Sequence, residues 1–279
     1  MGYSRFGTEP ANPKPIPFVH PLEHCPVKNH VLAVVGALAL TTLPTLSHAD
    51  LAYNVGVFSD YRYRGISQTR FKPAVQAGLD FSAGGLYLGA WASTIKWVRD
   101  AEGDAQVEVD LYGGYKGQII KDTLSYDVGL LQYLYPSAKT TRWNAIYKDP
   151  NTSEIYGALT YGPATLKVSY ALTNLFGNYD FGARKNSKGS TYVDLSASFD
   201  VGGGVMLAPH VGYQKVVRIA NASYSDYSLT LSKDFSGLVP SIAIVGTDAN
   251  KTFYVPGVAA NSSKFLGKSG VVIGIKYNF

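Results

Sequence analysis

Twelve stretches of this chain read as alternating segments, most with apolar residues on one face and polar on the other, and the connections between them alternate between short and long. The stretches run roughly over 51–64, 73–82, 86–97, 106–117, 124–135, 153–161, 165–174, 190–200, 205–216, 223–233, 239–248 and 268–279. A period of two is the strand's own, and most stretches are about ten residues, the length a tilted strand needs to cross a bilayer. Tight connections follow the second, fourth, sixth, eighth and tenth stretches, at Ala83-Gly84-Gly85, Ile119 to Thr123, Gly162-Pro163, Gly202-Gly203-Gly204 and Asp234 to Gly237. The others are longer, notably Pro136 to Thr152, Leu175 to Gly189 and Ala249 to Gly267. A soluble sandwich has no reason to keep all its long loops at one end, whereas a membrane barrel does. The expectation is an all-β chain: a transmembrane antiparallel up-and-down β-barrel of 12 strands, with both ends on the same side.

The faces of the stretches agree with that reading. In the first, Leu51, Tyr53, Val55 and Val57 oppose Asn54, Gly56, Asp60, Arg62 and Arg64; in the fourth, Val107, Val109, Leu111 and Tyr115 oppose Glu108, Asp110 and Lys116. The seventh sets Leu166, Val168, Tyr170 and Leu172 against Lys167, Ser169 and Thr173. A charge facing lipid at mid-depth costs about 2–4 kcal/mol, so the apolar set is expected outside and the charges within. The stretches 86–97 and 239–248 are apolar in both phases, and their faces stay open.

The last stretch, Lys268 to Phe279, places Val271, Ile273, Ile275, Tyr277 and Phe279 on one face and ends on an aromatic carboxylate. It resembles the closing strand by which bacterial outer-membrane barrels are handed to the barrel-assembly machinery. At the other end, residues 1–26 are proline-rich without periodicity and read as a dispensable or misannotated extension, with translation starting near Val27. Residues 27–49 carry a short basic region, an apolar run interrupted by Pro44, and a small-residue exit at Ser47-His48-Ala49, which is a signal-peptide pattern. The expected mature chain is 50–279. It carries no cysteine, since Cys25 lies in the leader, so its stability must come from backbone pairing and burial. The net charge of +5 is dispersed, which does not suit nucleic acid. The 21 Tyr and 29 Gly fit an antiparallel sheet with aromatic girdles.

The stretch Ser59-Asp60-Tyr61-Arg62-Tyr63-Arg64-Gly65-Ile66-Ser67-Gln68-Thr69, with Lys72 to Gln76, Gly89 to Ser93, Glu108 to Tyr115 and Tyr126 to Leu130, resembles the TorF family of proteobacterial porins. The similarity continues through Glu154 to Gly157 and Tyr224 to Leu229. It implies a channel in the outer membrane of a Gram-negative bacterium, in contact with its lipid and passing small hydrophilic solutes. It carries no catalytic residues and no cofactor.

The strand phases place Asp60, Arg62 and Arg64 on the upper first strand, facing inward. Glu108, Asp110, Asp127, Glu154, Tyr156, Lys167, Asp194 and Asp226 line the other walls. Basic groups would then face acidic ones across a constriction; the alternative is that these charges pair and fill a narrow lumen. Inward aromatics such as Tyr156 and Tyr192 would instead serve a ligand-selective channel, and a closed barrel would be structural or enzymatic. Enzymatic chemistry finds little support, because His210 shares the inward phase of Gly212 and Gln214, where lipid acyl chains do not reach. Asp100, Glu102 and Asp104 lack the glycine and terminal glutamate of a calcium loop, and Gly113-Gly114 lies within a strand, not before a helix. Tyr61, Tyr63, Trp91, Trp97, Tyr133 and Tyr135 near the upper ends, with Tyr161 and Phe279 below, are expected to form interfacial belts.

Overall fold

The computed structural model describes residues 49–279; the extension, and all of the expected signal peptide but Ala49, lie outside them. Twelve strands form the wall: β1 Ala49–Phe58, β2 Ala74–Ala83, β3 Leu86–Thr94, β4 Val107–Ile120, β5 Leu124–Leu134 and β6 Thr152–Tyr161. They continue as β7 Ala164–Ala171, β8 Thr191–Ala197 with its extension Phe199–Asp200, β9 Val205–Lys215, β10 Tyr224–Lys233, β11 Leu238–Thr247 and β12 Gly270–Asn278. Each pairs antiparallel with its neighbours in sequence. The sheet closes where β1 meets β12, from Asn54 opposite Asn278 to Phe58 opposite Gly274. Closure removes the sheet edge, so every wall strand has a partner on both sides and no row of backbone amides is left to pair with another chain.

Leu51, Tyr53, Val55 and Val57 on β1 are exposed on the outside, and the same phase is exposed around the wall. A surface this apolar is stable in a bilayer. Among the described residues no helix is long and apolar enough to cross a membrane. The two ambiguous stretches resolve: Leu86 and Leu88 face out while Trp91 is buried, and Ile242 and Ile244 face out while Val245 is buried. Inside, tyrosine rings lie across the backbone of neighbouring strands. A Cβ on Gly212 would stand 2.1 Å from the Tyr192 hydroxyl, so only glycine lets that ring cross β9.

The first strand differs from its expected extent. The wall strand ends at Phe58, and residues 59–73 turn into the barrel as a tongue instead of continuing upward to Arg64. The alternation of Asp60 to Arg64 reads as strand because it is one, but it belongs to a small hairpin, Arg62–Tyr63 against Ile66–Ser67. The turn between its arms is made by Arg64 at φ 42° and Gly65 at φ 80°. Consequently Asp60, Arg62 and Arg64 do not lie on the wall of β1.

The upper aromatics also correct the expected belts. Tyr61, Tyr63, Trp91, Trp97, Tyr133 and Tyr135 are all buried in one core with Trp143, Tyr147, Phe176 and Tyr254, drawn from the long loops. Trp97 begins the one-turn helix α1 (Trp97–Asp100), and Trp143 lies in α2 (Thr141–Ile146), whose start is capped by the Thr140 hydroxyl accepting from the Trp143 amide at 3.1 Å. Trp97 meets Tyr135 edge-on at 5.0 Å and Trp143 at 5.9 Å, and Tyr133 meets Phe176 at 5.0 Å. Each such pair contributes about 0.5–1.5 kcal/mol beyond its buried area. These loops thus form a cap packed against the tongue at the upper end of the barrel. Tyr161 and Phe279 are exposed at the lower rim, at 68% and 69%.

Candidate functional site

The lumen beneath the cap is built around the tongue. Asp60 fastens its base, accepting from Arg62 Nε at 2.5 Å, Ser67 Oγ at 2.6 Å and Thr69 Oγ1 at 2.9 Å. Beyond this anchor the alternating side chains reach different walls. Tyr61 donates to Glu108 Oε1 on β4 at 2.8 Å, and the Tyr63 and Tyr133 hydroxyls share a bond of 2.9 Å on β5. Arg64 reaches farthest. Its guanidinium donates to Glu154 on β6 at 3.1 and 2.7 Å and to Gln214 on β9 at 2.5 Å. The same group packs over the rings of Tyr63 and Tyr192, at 4.6 and 4.2 Å from their centroids. The tip then passes Asp226 and Thr247 on β10 and β11, which stand so close that a Cβ on Gly65 would be 2.9 and 2.3 Å from them.

A second network lies on the wall between β8 and β10. His210 Nε2 stands 2.8 Å from Asp194 and 3.0 Å from the Tyr192 hydroxyl, which itself donates to Asp226 at 3.0 Å. A third joins β3, β5, β6 and β7: Tyr87 donates to Asp127 at 2.5 Å and bonds the Tyr156 hydroxyl, while Lys167 Nζ lies 3.9 Å from the Tyr156 ring centre. Below, Tyr112 donates to Asp80 at 2.5 Å.

All eleven candidate residues thus lie inside the barrel, but the structure groups them differently from a row of bases facing a row of acids. Arg64 joins Glu154; Asp194 and Asp226 meet across His210; Asp127, Tyr156 and Lys167 belong together. Glu108 and Asp110 are buried with no cation within 4.0 Å among the described residues, and Glu108 Oε2 and Asp110 Oδ1 have no hydrogen-bond partner. The rings of Tyr156 and Tyr192 each carry a cation on one face. Gln214, Tyr63, Tyr87 and Tyr133 also build the site. The phase of Val128 and Leu130 already put Tyr133 inside, whereas nothing local marks Gln214 as a partner of Arg64. In the loops, burial holds the Asp100 carboxyl above the usual carboxylate range against the pull of Arg70 at 2.8 Å. Among the described residues no group of three or more histidines and carboxylates is placed to hold a metal ion.

Comparison with solved structures finds similarity to two porins and to OprD. The KdgM porin aligns over 83% of this chain and 99% of its own, with 8% identity and a TM-score of 0.49. The NanC porin aligns over 82% and 98%, with 13% identity and a TM-score of 0.48, and Pseudomonas aeruginosa OprD over 82% and 66%, with 12% identity and a TM-score of 0.39. Likeness this loose carries no argument about the chain. No curated protein matches the chain. A family model described as a bacterial protein of unknown function, Gcw_chp, matches residues 44–279, which takes in the tongue and all twelve strands, and the chain belongs to the Gcw_chp family.

Proposed function

We propose that this chain is an outer-membrane, porin-like channel for small hydrophilic solutes, held closed in this conformation by the tongue 59–73. One observation carries the reading: a single closed sheet keeps its exposed apolar residues outside and the carboxylates of its mid-wall, Glu108, Asp110, Glu154, Asp194 and Asp226, inside, the arrangement a bilayer demands of a water-filled barrel. The resemblance to the TorF porins supports the same function, and the signal-peptide pattern of 27–49 supports export. The aromatic C-terminal strand supports recognition by the barrel-assembly machinery. The lumenal placing of His210, away from lipid, favours transport over lipid hydrolysis.

Solutes pass only when the tongue gives way, because Tyr61, Tyr63 and Arg64 are buried where the path would run. That same burial favours a second reading, a static barrel with a structural role. Planar-bilayer recording separates the two. Discrete conductance steps from the native protein, or from a variant released at Arg64, support the channel. Silence from both, with each still migrating as a folded barrel on unboiled gels, overturns it in favour of the static barrel.

A further inference from the structure

The outer surface of β7, β8 and β9 changes character in three steps toward the long-loop end. Leu166, Leu195 and Val211 lie in register across the three strands on the outward face, and the next outward row is Val168, Val193 and Tyr213. The row above is Tyr170, Thr191 and Lys215. Aliphatic residues give way to tyrosines and then to a cation, the order in which a bilayer passes from hydrocarbon to interface to headgroup.

Immediately above that row the loops after β7 and β9 add Arg184, Lys185, Lys188 and Arg218, all exposed. Arg218 ties the two loops together, donating from Nε to the Asn186 carbonyl at 3.0 Å and from Nη2 to that of Lys188. Neither Lys215 nor any of these four has a carboxylate within 4.0 Å among the described residues. Asp180 stands opposite Lys185 in the small hairpin of the first loop, so five exposed cations share one nearby acid and repel one another unless an anion joins them.

We propose that this patch is a binding site for the phosphorylated headgroup of an outer-leaflet glycolipid. Lys215 decides between a lipid and a solute. It stands in the outward phase, two residues above Tyr213, so its charge is offered to the membrane side of the wall and not to the mouth. Arginine and lysine together suit phosphate: the guanidinium gives directed hydrogen bonds and the ammonium a mobile charge. The inference rests on the outer-membrane reading.

The test is native mass spectrometry of the folded full-length barrel in detergent, with bisphosphorylated lipid A and its dephosphorylated form as probes. The native protein should prefer the phosphorylated form by about tenfold or more, two cations near an anionic surface supplying at least that factor. Lys215→Gln with Arg218→Gln should abolish the preference, while Lys121→Gln on the opposite rim should keep it. Equal binding of the two forms by the native protein, or a preference that survives in the double variant, overturns the proposal. Stronger binding of dextran sulfate than of lipid A also overturns it, assigning the patch to soluble polyanions. Sedimentation of cell membranes on a sucrose gradient tests the underlying reading separately, because a protein found outside the outer-membrane fraction fails that reading whatever it binds.

Discussion

Arg64 and Glu154 meet in a two-point contact, Nη1 to Oε1 at 3.1 Å and Nη2 to Oε2 at 2.7 Å, with both side chains 2% exposed. The pair joins the tip of the tongue to the wall at β6 and is the one ion pair within 4.0 Å between tongue and wall among the described residues. Removing one partner of such a pair leaves the other charged and buried, which costs about 3–5 kcal/mol. Arg64→Ala should therefore lower the temperature at which the folded band disappears on a detergent gel. Adding Glu154→Gln should recover part of the loss, since the stranded carboxylate is then gone. A double variant as unstable as the sum of the two single changes would show that the pair is not coupled.

Gly65 fixes how the tongue seats. At φ 80° a side chain is already strained, and a Cβ there would stand 2.3 Å from Thr247 Cγ2 and 2.9 Å from Asp226 Cβ. Gly65→Ala should unseat the tip and open the bonds after Arg62, Arg64 and Arg70 to trypsin in the folded protein. Gly162→Ala is the control: its φ is 56°, but nothing lies within 4 Å of its Cβ, so the tongue should stay protected. Equal resistance of the two variants would mean that the tip tolerates displacement without release.

The protein should be heat-modifiable, boiled and unboiled samples migrating differently on the same gel. Twelve strands paired on both sides leave detergent no sheet edge to enter until heat opens the wall. Identical mobility, with release of the protein by carbonate washing, would remove the barrel from the membrane.

Much of this wall was legible in the sequence, because burial on one side only imposes a period of two and tight turns impose glycine and proline. The end of β1 was not. Ser59 to Arg64 keep the alternation of the strand before them, and the inward turn depends on partners far away in sequence, Glu108, Glu154 and Gln214. Local pattern carries no record of such contacts. The upper aromatics misled for a related reason: a tyrosine near a strand end suits an interfacial belt and a loop-covered core equally, and only its phase separates them. For Tyr133 that phase was available from Val128 and Leu130. For Trp91 it was hidden, since Ala90 and Ala92 make both faces of β3 apolar.

Deleting Phe279 should reduce the amount of barrel reaching the outer membrane more than it reduces the heat resistance of barrels already formed. Its ring is 69% exposed and touches Tyr277 edge-on at 4.9 Å, while its amide donates to the Tyr53 carbonyl at 2.9 Å. One exposed ring buries little area, so its loss costs little in the finished sheet. Normal outer-membrane levels of the truncated chain would remove the proposed assembly role.

The final prediction concerns charge along the path. Arg62 and Arg64 are the cations of the tongue's hairpin arm and turn, and the walls around it carry Glu108, Asp110, Glu154, Asp194 and Asp226, all buried. Arg64 neutralises Glu154, and Arg62 neutralises Asp60 while also donating to the carbonyls of Gly65 and Lys268. Changing both to alanine removes two positive charges and frees two carboxylates at once, so the upper lumen becomes more acidic even as the tongue loosens. Ions that then enter meet a wall whose remaining inward lysines are Lys116 on β4, Lys167 on β7 and Lys276 on β12. The reversal potential across a salt gradient should move toward that of the cation, and conductance should rise because the tip is no longer held at β6 and β9. Lys167→Gln should shift selectivity in the same direction without raising conductance as far, since Lys167 does not tie the tongue to the wall. A double variant that conducts with unchanged reversal potential would place the conducting route away from the tongue, and the hairpin would then be a structural filler beside the path.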